Sequence, residues 1–389
     1  MTINFDLTAE QQLLRSTVRA FADREIAPRI GAYVEADAFP EPIVRGLADL
    51  GVFGLPFREA DGGSGAGMMG FVLALEEIAR VDVSVAAIVF AHSSPATILA
   101  QFGSDEQRAR WLVPLTAGRL LGAIGLTEPS GGSDAAAIQA TAIATSDGDG
   151  WLLNGSKTFI TNTGTPMPGV AVVVARTRNG LSAFVVPDGT PGYRVGRPLH
   201  KIGWRAATTC EVFLEDCRVP ADHLVGQPGD GLRQALTAIT YGRVCVGAIA
   251  TGLARGAWEL AVAYGKSRRT FGRAISDHQS VAFGLADLAT RIDAARLLTW
   301  RAATLADQGS AFRVEASMAK LFATETALHA AALSIQVHGA YGVSREYPVA
   351  KMLGDAKVLE IVEGTSEIQR LLLARLLGIT SDPRPGAMD

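Results

Sequence analysis

The strongest constraint on the fold is that the period of the apolar residues changes twice along the chain. In the first part, apolar residues such as Leu14 and Val18 recur at helical spacing, which is typical of amphipathic helices. From about Leu121, short β-branched runs such as GVAVVVART are separated by turn residues, and this pattern indicates strands. After Gly231 the helical period returns in long segments with few prolines. The chain is therefore predicted to fold in the order α, β, α.

This order predicts an α+β multidomain protein. The expected parts are an N-terminal α-helical domain (1–120), a middle β-barrel or β-sandwich domain (121–230), a C-terminal four-helix bundle (231–380) and a flexible tail (381–389). Thr8 is expected to cap the first helix, because its hydroxyl can accept a hydrogen bond from a free backbone N–H. Asn154-Gly155 is a typical type I′ turn sequence and predicts a β-hairpin.

Composition and charge exclude several classes of function. The 389 residues are 48% hydrophobic and 19% charged, with a formal net charge of −3, so the chain is globular and no nucleic-acid partner is expected. No apolar run approaches the ~18 residues of a membrane span. The six histidines show no metal-ligand spacing, and no metal site is expected. Three cysteines without a CxxC pair fit a reduced compartment, so a soluble cytoplasmic protein is predicted.

Two loops carry polar groups that could bind a phosphate. In GLTEPSGGSD, Gly131 and Gly132 allow close backbone approach and the nearby hydroxyls can donate hydrogen bonds. The alternative is a polar interdomain turn in which Glu128 and Asp134 cap helices, and local chemistry favours it. The arginines of RRTFGR could likewise bind a phosphate or form a solvated face, which the local sequence favours slightly.

A single carboxylate in IVEGTSEIQR, Glu363, precedes a predicted helix. Ser366 and Gln369 are spaced as a capping box, which predicts a helix over residues 367–377. The helix dipole would lower the pKa of Glu363, whereas burial beside its apolar neighbours would raise that pKa. Local sequence alone favours a helix-capping role over a catalytic base.

Taken together, these segments resemble the acyl-CoA dehydrogenase family of flavoenzymes from about Leu7 to Leu377. GLTEPSGGSD is similar to the first family signature, and FITN is similar to the flavin-contacting strand. RRTFGRAISDHQ resembles the Arg-x-x-Phe-Gly segment, and QVHGAYG with EYPVAKMLGDAKVLEIVEGTSEIQR resembles the C-terminal signature region. The resemblance implies an oxidoreductase that uses FAD to convert an acyl thioester, expected to be a short or medium acyl-CoA, into the 2-enoyl thioester.

The resemblance also assigns roles to particular residues. It implies that Glu363 removes the α-proton, that the β-hydride passes to flavin N5, and that the backbone N–H of Glu363 and a flavin ribityl hydroxyl bind the thioester oxygen. It implies a homotetramer and an electron-transfer flavoprotein as acceptor. The implied FAD contacts within one subunit are Leu126, Thr127, Gly132, Ser133, Phe159, Thr161, Thr365 and Glu367; those to a neighbouring subunit's FAD are Arg268, Phe271, Gln279 and Gln336; the implied substrate contacts are Tyr241 and Arg243.

One departure from the family pattern leaves the carrier of the acyl group open. The family commonly has an Asp three residues before the position of Arg243, and this chain has Thr240 there. That feature resembles members that act on acyl groups attached to an acyl carrier protein, so a carrier-bound substrate is the alternative. A further alternative is an oxidase or monooxygenase branch of the family; monooxygenase branches tend to lack the glutamate base, so Glu363 argues against them. The last alternative is a catalytically silent flavoprotein scaffold.

Overall fold

The computed structural model describes residues 6–380, and its N-terminal domain is helical. Thr8 caps the first helix as predicted: its side chain accepts from Gln11 N–H, and the Gln11 side chain accepts from Thr8 N–H. The predicted flexible tail lies outside the described residues. The helices are α1 (Ala9–Phe21), α2 (Ile30–Glu35), α3 (Glu41–Asp49), α4 (Gly67–Val81), α5 (Val83–Phe102), α6 (Asp105–Gln107) and α7 (Val113–Thr116), with π-helical turns at Ala22–Ile26 and Arg108–Leu112.

The middle domain is an eight-stranded sheet in which β1 pairs in parallel with β4 and the remaining order is β6-β7-β3-β2-β4-β5-β8. Its central strands are apolar on both faces, because helices cover one side and strand residues pack the other. The strands are β1 (Leu121–Gly125), β2 (Thr141–Ala144), β3 (Gly150–Thr161), β4 (Gly169–Thr177), β5 (Gly180–Pro187), β6 (Tyr193–Pro198), β7 (Thr209–Pro220) and β8 (Leu224–Val225).

The predicted hairpin at Asn154-Gly155 is wrong. Both residues lie inside β3, where the pairing with β7 shifts register next to them. Asn154 Nδ2 donates to Asp216 Oδ1 at 3.0 Å, and Asp216 N–H donates to Asn154 Oδ1 at 2.8 Å. The asparagine therefore pairs across the strands, and the two residues form a β-bulge instead of a turn.

The C-terminal domain is a helix bundle built around α8, which also packs against α4 and α5 of the N-terminal domain. Small side chains let these helices approach closely; many of the buried core residues of α8 and α10 are alanine. The predicted α, β, α order is confirmed. The elements are α8 (Gly231–Ser267), a hairpin of β9 (Arg269–Thr270) and β10 (Arg273–Ala274), α9 (Gln279–Asp307), α10 (Arg313–His338), α11 (Val349–Ile361) and α12 (Ser366–Leu376).

Two helices, α5 and α8, are long and apolar enough to cross a membrane by length and composition. Their most apolar windows are 89% and 78% buried inside the protein. They are therefore core helices of this fold.

Lys351 joins the three domains. Its Nζ lies 2.7 Å from Asp82 Oδ2, at the start of α5, and 2.7 Å from Asp355 Oδ2 in α11. The other oxygen of Asp355 accepts from Trp204 N–H, in the loop before β7, at 2.7 Å. This junction fixes the sheet against both helical domains, and the candidate site lies between them.

Candidate active site

Glu363 lies in a sharp turn between α11 and α12. Glu363 and Gly364 both adopt left-handed backbone conformations, with φ of 55° and 91°. A left-handed φ at a residue with a side chain costs on the order of 1–3 kcal/mol, so the surroundings must hold it. The turn lets α11 end at Ile361 and α12 begin at Ser366 while the Glu363 side chain points back into the bundle.

The N-cap of α12 differs from the prediction. Thr365, and not Ser366, is the cap, and its hydroxyl accepts from Ile368 N–H at 3.3 Å. The predicted capping box is wrong because Gln369 bonds elsewhere: its Nε2 donates to the carbonyls of Glu363 at 3.0 Å and Gly364 at 2.8 Å. The left-handed turn presents these carbonyls to Gln369, which therefore supports the turn that carries Glu363.

Two cationic side chains hold the same turn from the other side. Lys320 Nζ donates to the carbonyl of Glu360 at 2.8 Å and to that of Gly364 at 2.9 Å. Arg243 Nε donates to the carbonyl of Glu363 at 3.3 Å. Both cations thus bind backbone oxygens, and neither forms a hydrogen bond to the Glu363 carboxylate.

The Glu363 carboxylate is buried on its inner side. Its Oε2 has no hydrogen-bond partner within residues 6–380, although the residue as a whole is half-buried. Burial raises the pKa of Glu363 to about 7, while the positive charges of Arg243 and Lys320 oppose that rise. Burial therefore outweighs the two positive charges, and the carboxyl can exchange a proton near neutral pH.

The absence of a side chain at Gly242 makes room for this carboxylate. A Cβ at that position of α8 would lie 2.7 Å from Glu363 Oε2 and 3.2 Å from the Phe90 ring. The first separation is shorter than real Cβ contacts, and the second is tighter than most of them. Gly242 and Glu363 are thus complementary, although 121 positions separate them in the sequence.

A cavity of about 230 Å³ is lined by α4, α5 and α8, by the loop that precedes α4 and by the end of α9. Tyr241 and Cys245, on either side of Gly242, line it together with Phe71 and Met68. Its serine and threonine hydroxyls are occupied by their own helix: Ser93 Oγ donates to Phe90 O, and Thr97 Oγ1 donates to Ser93 O. The wall of the cavity therefore combines apolar side chains with the polar and charged side chains of Arg58, Asp61, Gln101 and Asp307.

The two residues expected to contact substrate have different positions. Tyr241 lines the cavity and packs edge-on against Phe312, with ring centroids 5.0 Å apart. Arg243 is buried on the far side of the base, where it donates to the Glu363 carbonyl. The structure thus associates Arg243 with the backbone of Glu363.

The GLTEPSGGSD loop follows β1 and is anchored by a buried ion pair. Glu128 Oε1 accepts from Lys157 Nζ at 2.7 Å, and the carboxylate also accepts from Gln139 and Ala140 N–H. Burial alone would raise the pKa of Glu128, but these hydrogen bonds outweigh it and hold that pKa below its usual value. Glu128 caps no helix; the locally favoured alternative of a helix-capping turn is wrong for this residue.

The predicted FAD residues of the middle domain share one end of the sheet. Thr127 O accepts from Thr158 N–H at 2.9 Å, which brings the loop beside Phe159. Phe159 has a left-handed φ of 59° within a second irregularity of β3, and its side chain is 66% exposed. Gly132 and Ser133 are exposed and Leu126, Thr127 and Thr161 are half-buried. An accessible aromatic ring, hydroxyls and glycine backbone fit a planar, phosphorylated cofactor.

The residues expected to reach a neighbouring subunit's FAD lie on the bundle. Arg268, Phe271, Gln279 and Gln336 are all exposed, and Phe271 is 95% exposed at the tip of the β9-β10 hairpin. Stacking of Tyr264 on His338, with centroids 4.4 Å apart, places the start of this hairpin beside the end of α10. Thr365 and Glu367 lie at the start of α12.

Several functional contacts were missed by the sequence reasoning. Lys320, Lys157 and Gly242 were not singled out, and Gln369 was given a different role. The one local signal for Lys320 is its place in an α10 segment whose neighbouring buried positions are alanine, such as Ala316 and Ala323. A lysine at a core position of a helix requires polar partners.

Comparison with sequence models places the chain in a class. The N-terminal, middle and C-terminal domains of acyl-CoA dehydrogenase match residues 8–119, 123–217 and 229–378. The chain belongs to the acyl-CoA dehydrogenase family, as the sequence motifs predicted, and is an oxidoreductase that acts on CH–CH bonds.

Individual relatives extend over nearly the whole chain. An acyl-CoA dehydrogenase of Bacillus subtilis is 41% identical over 377 residues, 95% of this chain and 98% of the relative. A short-chain specific acyl-CoA dehydrogenase of Clostridium acetobutylicum is 38% identical over 376 residues, 96% of this chain and 99% of the relative. The structure of butyryl-CoA dehydrogenase from Megasphaera elsdenii has a TM-score of 0.94 at 37% identity and covers 96% of this chain and 100% of that one.

Two more distant structures concern the cofactor and the carrier. A glutaryl-CoA dehydrogenase from Mycobacterium smegmatis in complex with FADH2 has a TM-score of 0.92 at 28% identity and covers 97% of both chains. The prolyl acyl carrier protein oxidase AnaB has a TM-score of 0.91 at 28% identity and covers 96% of this chain and 100% of that one.

Proposed function

We propose that this protein is an FAD-dependent dehydrogenase of a short or medium acyl-CoA, with Glu363 as its catalytic base. The observation that carries the proposal is the buried, unpaired Oε2 of Glu363, which lies against Gly242 between two residues, Tyr241 and Cys245, that line a cavity. A pKa of about 7 lets this carboxylate accept a proton at neutral pH and release it again.

Proton removal from the α-carbon is the step that this chain itself performs. Glu363 takes the proton, and the electron pair of the broken C–H bond moves towards the thioester oxygen. A donor aimed at that oxygen stabilises the developing charge, and the backbone N–H of Glu363 takes this role. Bound FAD supplies the acceptor for the β-hydride, because no protein side chain can accept one.

The cofactor is FAD, and the chain offers two sets of residues to hold it. Leu126, Thr127, Gly132, Ser133, Phe159, Thr161, Thr365 and Glu367 form the set for its own FAD. Arg268, Phe271, Gln279 and Gln336 form the set for the FAD of a neighbouring subunit in a homotetramer. The 95% exposure of Phe271 supports such a contact, because large apolar side chains on a surface commonly mark interfaces. Gel filtration and flavin content of Arg268→Ala test both roles together.

The size and lining of the cavity support a short acyl chain. Phe71, Met68 and Cys245 form the apolar part of its wall, and its volume is about 230 Å³. Relatives named as short-chain specific and butyryl-CoA dehydrogenases agree with this choice. An electron-transfer flavoprotein is the proposed acceptor, and a cytoplasmic location remains a prediction.

A carrier-bound substrate is the second candidate, and Thr240 is the observation that favours it. Thr240 Oγ1 donates to Leu236 O at 2.8 Å, so its hydroxyl hydrogen is used within α8 and does not replace the carboxylate common at this position. The likeness to a prolyl acyl carrier protein oxidase points the same way. One hydrogen bond is worth only about 0.5–1.5 kcal/mol, so acyl-CoA remains the proposal.

The carrier question is tested with one acyl group presented in two ways. The measurement is kcat/KM for the acyl group on CoA and on an acyl carrier protein. A preference for the carrier protein above about tenfold, or ~1.4 kcal/mol, would reverse the proposal.

The proposed base is tested by Glu363→Gln in anaerobic flavin bleaching with short acyl-CoA substrates. The amide keeps the shape of the side chain and cannot accept the proton, so the bleaching rate is expected to fall by ~10²-fold to 10⁴-fold while bound flavin is retained. A near-normal rate would place the base elsewhere. A wild-type protein that purifies without a flavin spectrum would support the silent scaffold.

A further inference from the structure

We infer that Lys320 is a positioning residue for α-proton removal: it holds the turn that aims the Glu363 carboxylate and the Glu363 N–H at the substrate. The inference rests on the proposed role of Glu363 as the base. Lys320 does not touch the cavity; it acts through the backbone of residues 360–364.

The first argument is the cost of burying this cation. The side chain of Lys320 is 0% exposed on a face of α10 whose other buried residues are small and uncharged, including Ala316, Ser317, Ala323 and Thr324. A buried charge is unfavourable unless polar groups compensate it. The hydrogen bonds of Lys320 go to two backbone carbonyls, and the nearby Glu360 carboxylate binds Lys357 at 2.7 Å instead. The ammonium group of Lys320 is therefore compensated by backbone carbonyls of the turn that carries Glu363.

The second argument is where those carbonyls lie. Glu360 belongs to the last turn of α11, whose free carbonyls attract a cation, and Gly364 follows the base. Lys320 thus joins the backbone on both sides of Glu363. Because peptide groups are planar and rigid, fixing the carbonyls of Glu363 and Gly364 fixes the backbone rotation on which the direction of the base depends. Arg243 and Gln369 complete the support by binding the Glu363 carbonyl.

The third argument concerns charge. Lys320 faces Glu363 and Glu360 from α10, Arg243 approaches from α8, and Glu367 lies at the start of α12. Burial lowers the pKa of Lys320 to about 8, against the effect of these carboxylates, so the side chain carries a positive charge at neutral pH. That charge favours the ionised form of Glu363, the form that can accept a proton.

The test uses the FAD-loaded enzyme with three variants. Lys320→Met removes donors and charge at similar length, Lys320→Gln keeps a neutral donor, and Lys351→Met is the matched control at a lysine that joins domains. The measurements are thermal unfolding, kcat and KM, the pH profile of kcat/KM, and α-hydrogen exchange of the bound substrate in D2O.

For Lys320→Met, misalignment of the base is expected to lower kcat and α-hydrogen exchange by about 10-fold to 100-fold with KM changed by less than about threefold. Loss of the positive charge raises the pKa of Glu363, so the acid limb of the pH profile moves to higher pH. Lys320→Gln is expected to recover part of kcat with the acid limb still displaced. Lys351→Met is expected to lose stability with the acid limb unmoved.

A purely structural role gives a different result. If Lys320→Met and Lys320→Gln lose stability as Lys351→Met does but keep the wild-type acid limb and α-hydrogen exchange, the inference is overturned. Should Lys320→Met not fold, the acid limb and exchange rate of Lys320→Gln decide alone. Failure of the underlying proposal looks different again, since Glu363→Gln would then retain α-hydrogen exchange.

Discussion

The protein contains two buried neighbourhoods in which a glutamate lies near a lysine, and they behave in opposite ways. In the middle domain, Lys157 donates directly to the Glu128 carboxylate at 2.7 Å, and the pKa of Glu128 is held below its usual value. In the bundle, Lys320 donates to backbone carbonyls on either side of Glu363, and burial raises the pKa of Glu363 to about 7. The residue types are the same; the hydrogen-bond partner of the ammonium differs.

This difference separates an anchor, Glu128, from the proposed base, Glu363. A carboxylate that accepts hydrogen bonds from a lysine and two N–H groups is stabilised as an anion and has little tendency to take a proton. A carboxylate whose buried oxygen has no partner is destabilised as an anion and takes one readily. Lys320 stabilises the turn, and its charge limits the rise that burial causes in the pKa of Glu363. Because Lys320 does not pair directly with the carboxylate, Glu363 can still accept a proton.

The largest expected effect is on stability, from breaking the anchor. Glu128→Gln leaves the fully buried Lys157 without a counter-charge, so the free energy of unfolding is expected to fall by about 3–5 kcal/mol. Urea unfolding of the purified protein measures it. The control is Asp147→Asn, which breaks an exposed pair with Arg218 in the same domain and is expected to cost at most about 1 kcal/mol. Equal losses in the two variants would contradict the assignment of Glu128 as an anchor.

The opposite effect on stability is expected at the base. The pKa of Glu363 is raised in the folded state from 4.5 to about 7, so between these values the folded state binds the proton and the unfolded state releases it. Stability contributed by this group is therefore lost as pH rises through that window. Glu363→Gln removes the cost of burying the ionised carboxylate. At pH 8 its free energy of unfolding is therefore expected to exceed that of the wild type by on the order of 1–3 kcal/mol.

The same two variants should respond to acid differently. Below the unfolded-state value of 4.5, Glu363→Gln and wild type are expected to converge, because the wild-type carboxyl is protonated in both states. Glu128 has a lowered pKa, so its stabilising contribution is present above the ordinary value and is lost as pH falls below it. Urea unfolding of the wild type, Glu363→Gln and Glu128→Gln at several pH values measures both pH dependences. A Glu363→Gln variant less stable than wild type at pH 8 would mean that the ionised carboxylate is well solvated or paired.

The sequence predicted the fold better than the surroundings of Glu363, the proposed base. Changes in apolar period are local signals, and the α, β, α order could be read from them. The carboxylate at 363 could be found from its resemblance to a family signature. Its partners could not, because Lys320 and Arg243 lie 43 and 120 positions away and no local pattern aims them at the same turn.

Local turn and cap signals failed where longer-range pairing competed with them. Asn154-Gly155 has the chemistry of a hairpin turn, but pairing of Asn154 with Asp216 of β7 places it in a bulge. Ser366 and Gln369 have the spacing of a capping box, but Gln369 binds the carbonyls of the left-handed turn instead. A long-range hydrogen bond outweighed the local preference in the first case, and hydrogen bonds to carbonyls five and six positions earlier in the chain did so in the second.

The smallest expected effect tests whether the free oxygen of Glu363 needs the space that Gly242 provides. A Cβ in Gly242→Ala would lie 2.7 Å from Oε2 and 2.9 Å from Cδ, so the carboxylate must shift by several tenths of an ångström. Because proton transfer depends on the position of the base, kcat/KM is expected to fall by about tenfold, or ~1.4 kcal/mol. Gly284→Ala is the matched control, since a Cβ there would lie 3.5 Å from Leu333, an ordinary contact within another bundle helix. Alanine favours a helix over glycine by about 0.5–1 kcal/mol, so the control is expected to gain stability and keep its activity. Unchanged kcat/KM in Gly242→Ala would mean that the base has room to move, and that the lysine and arginine on its backbone do not hold it in one place.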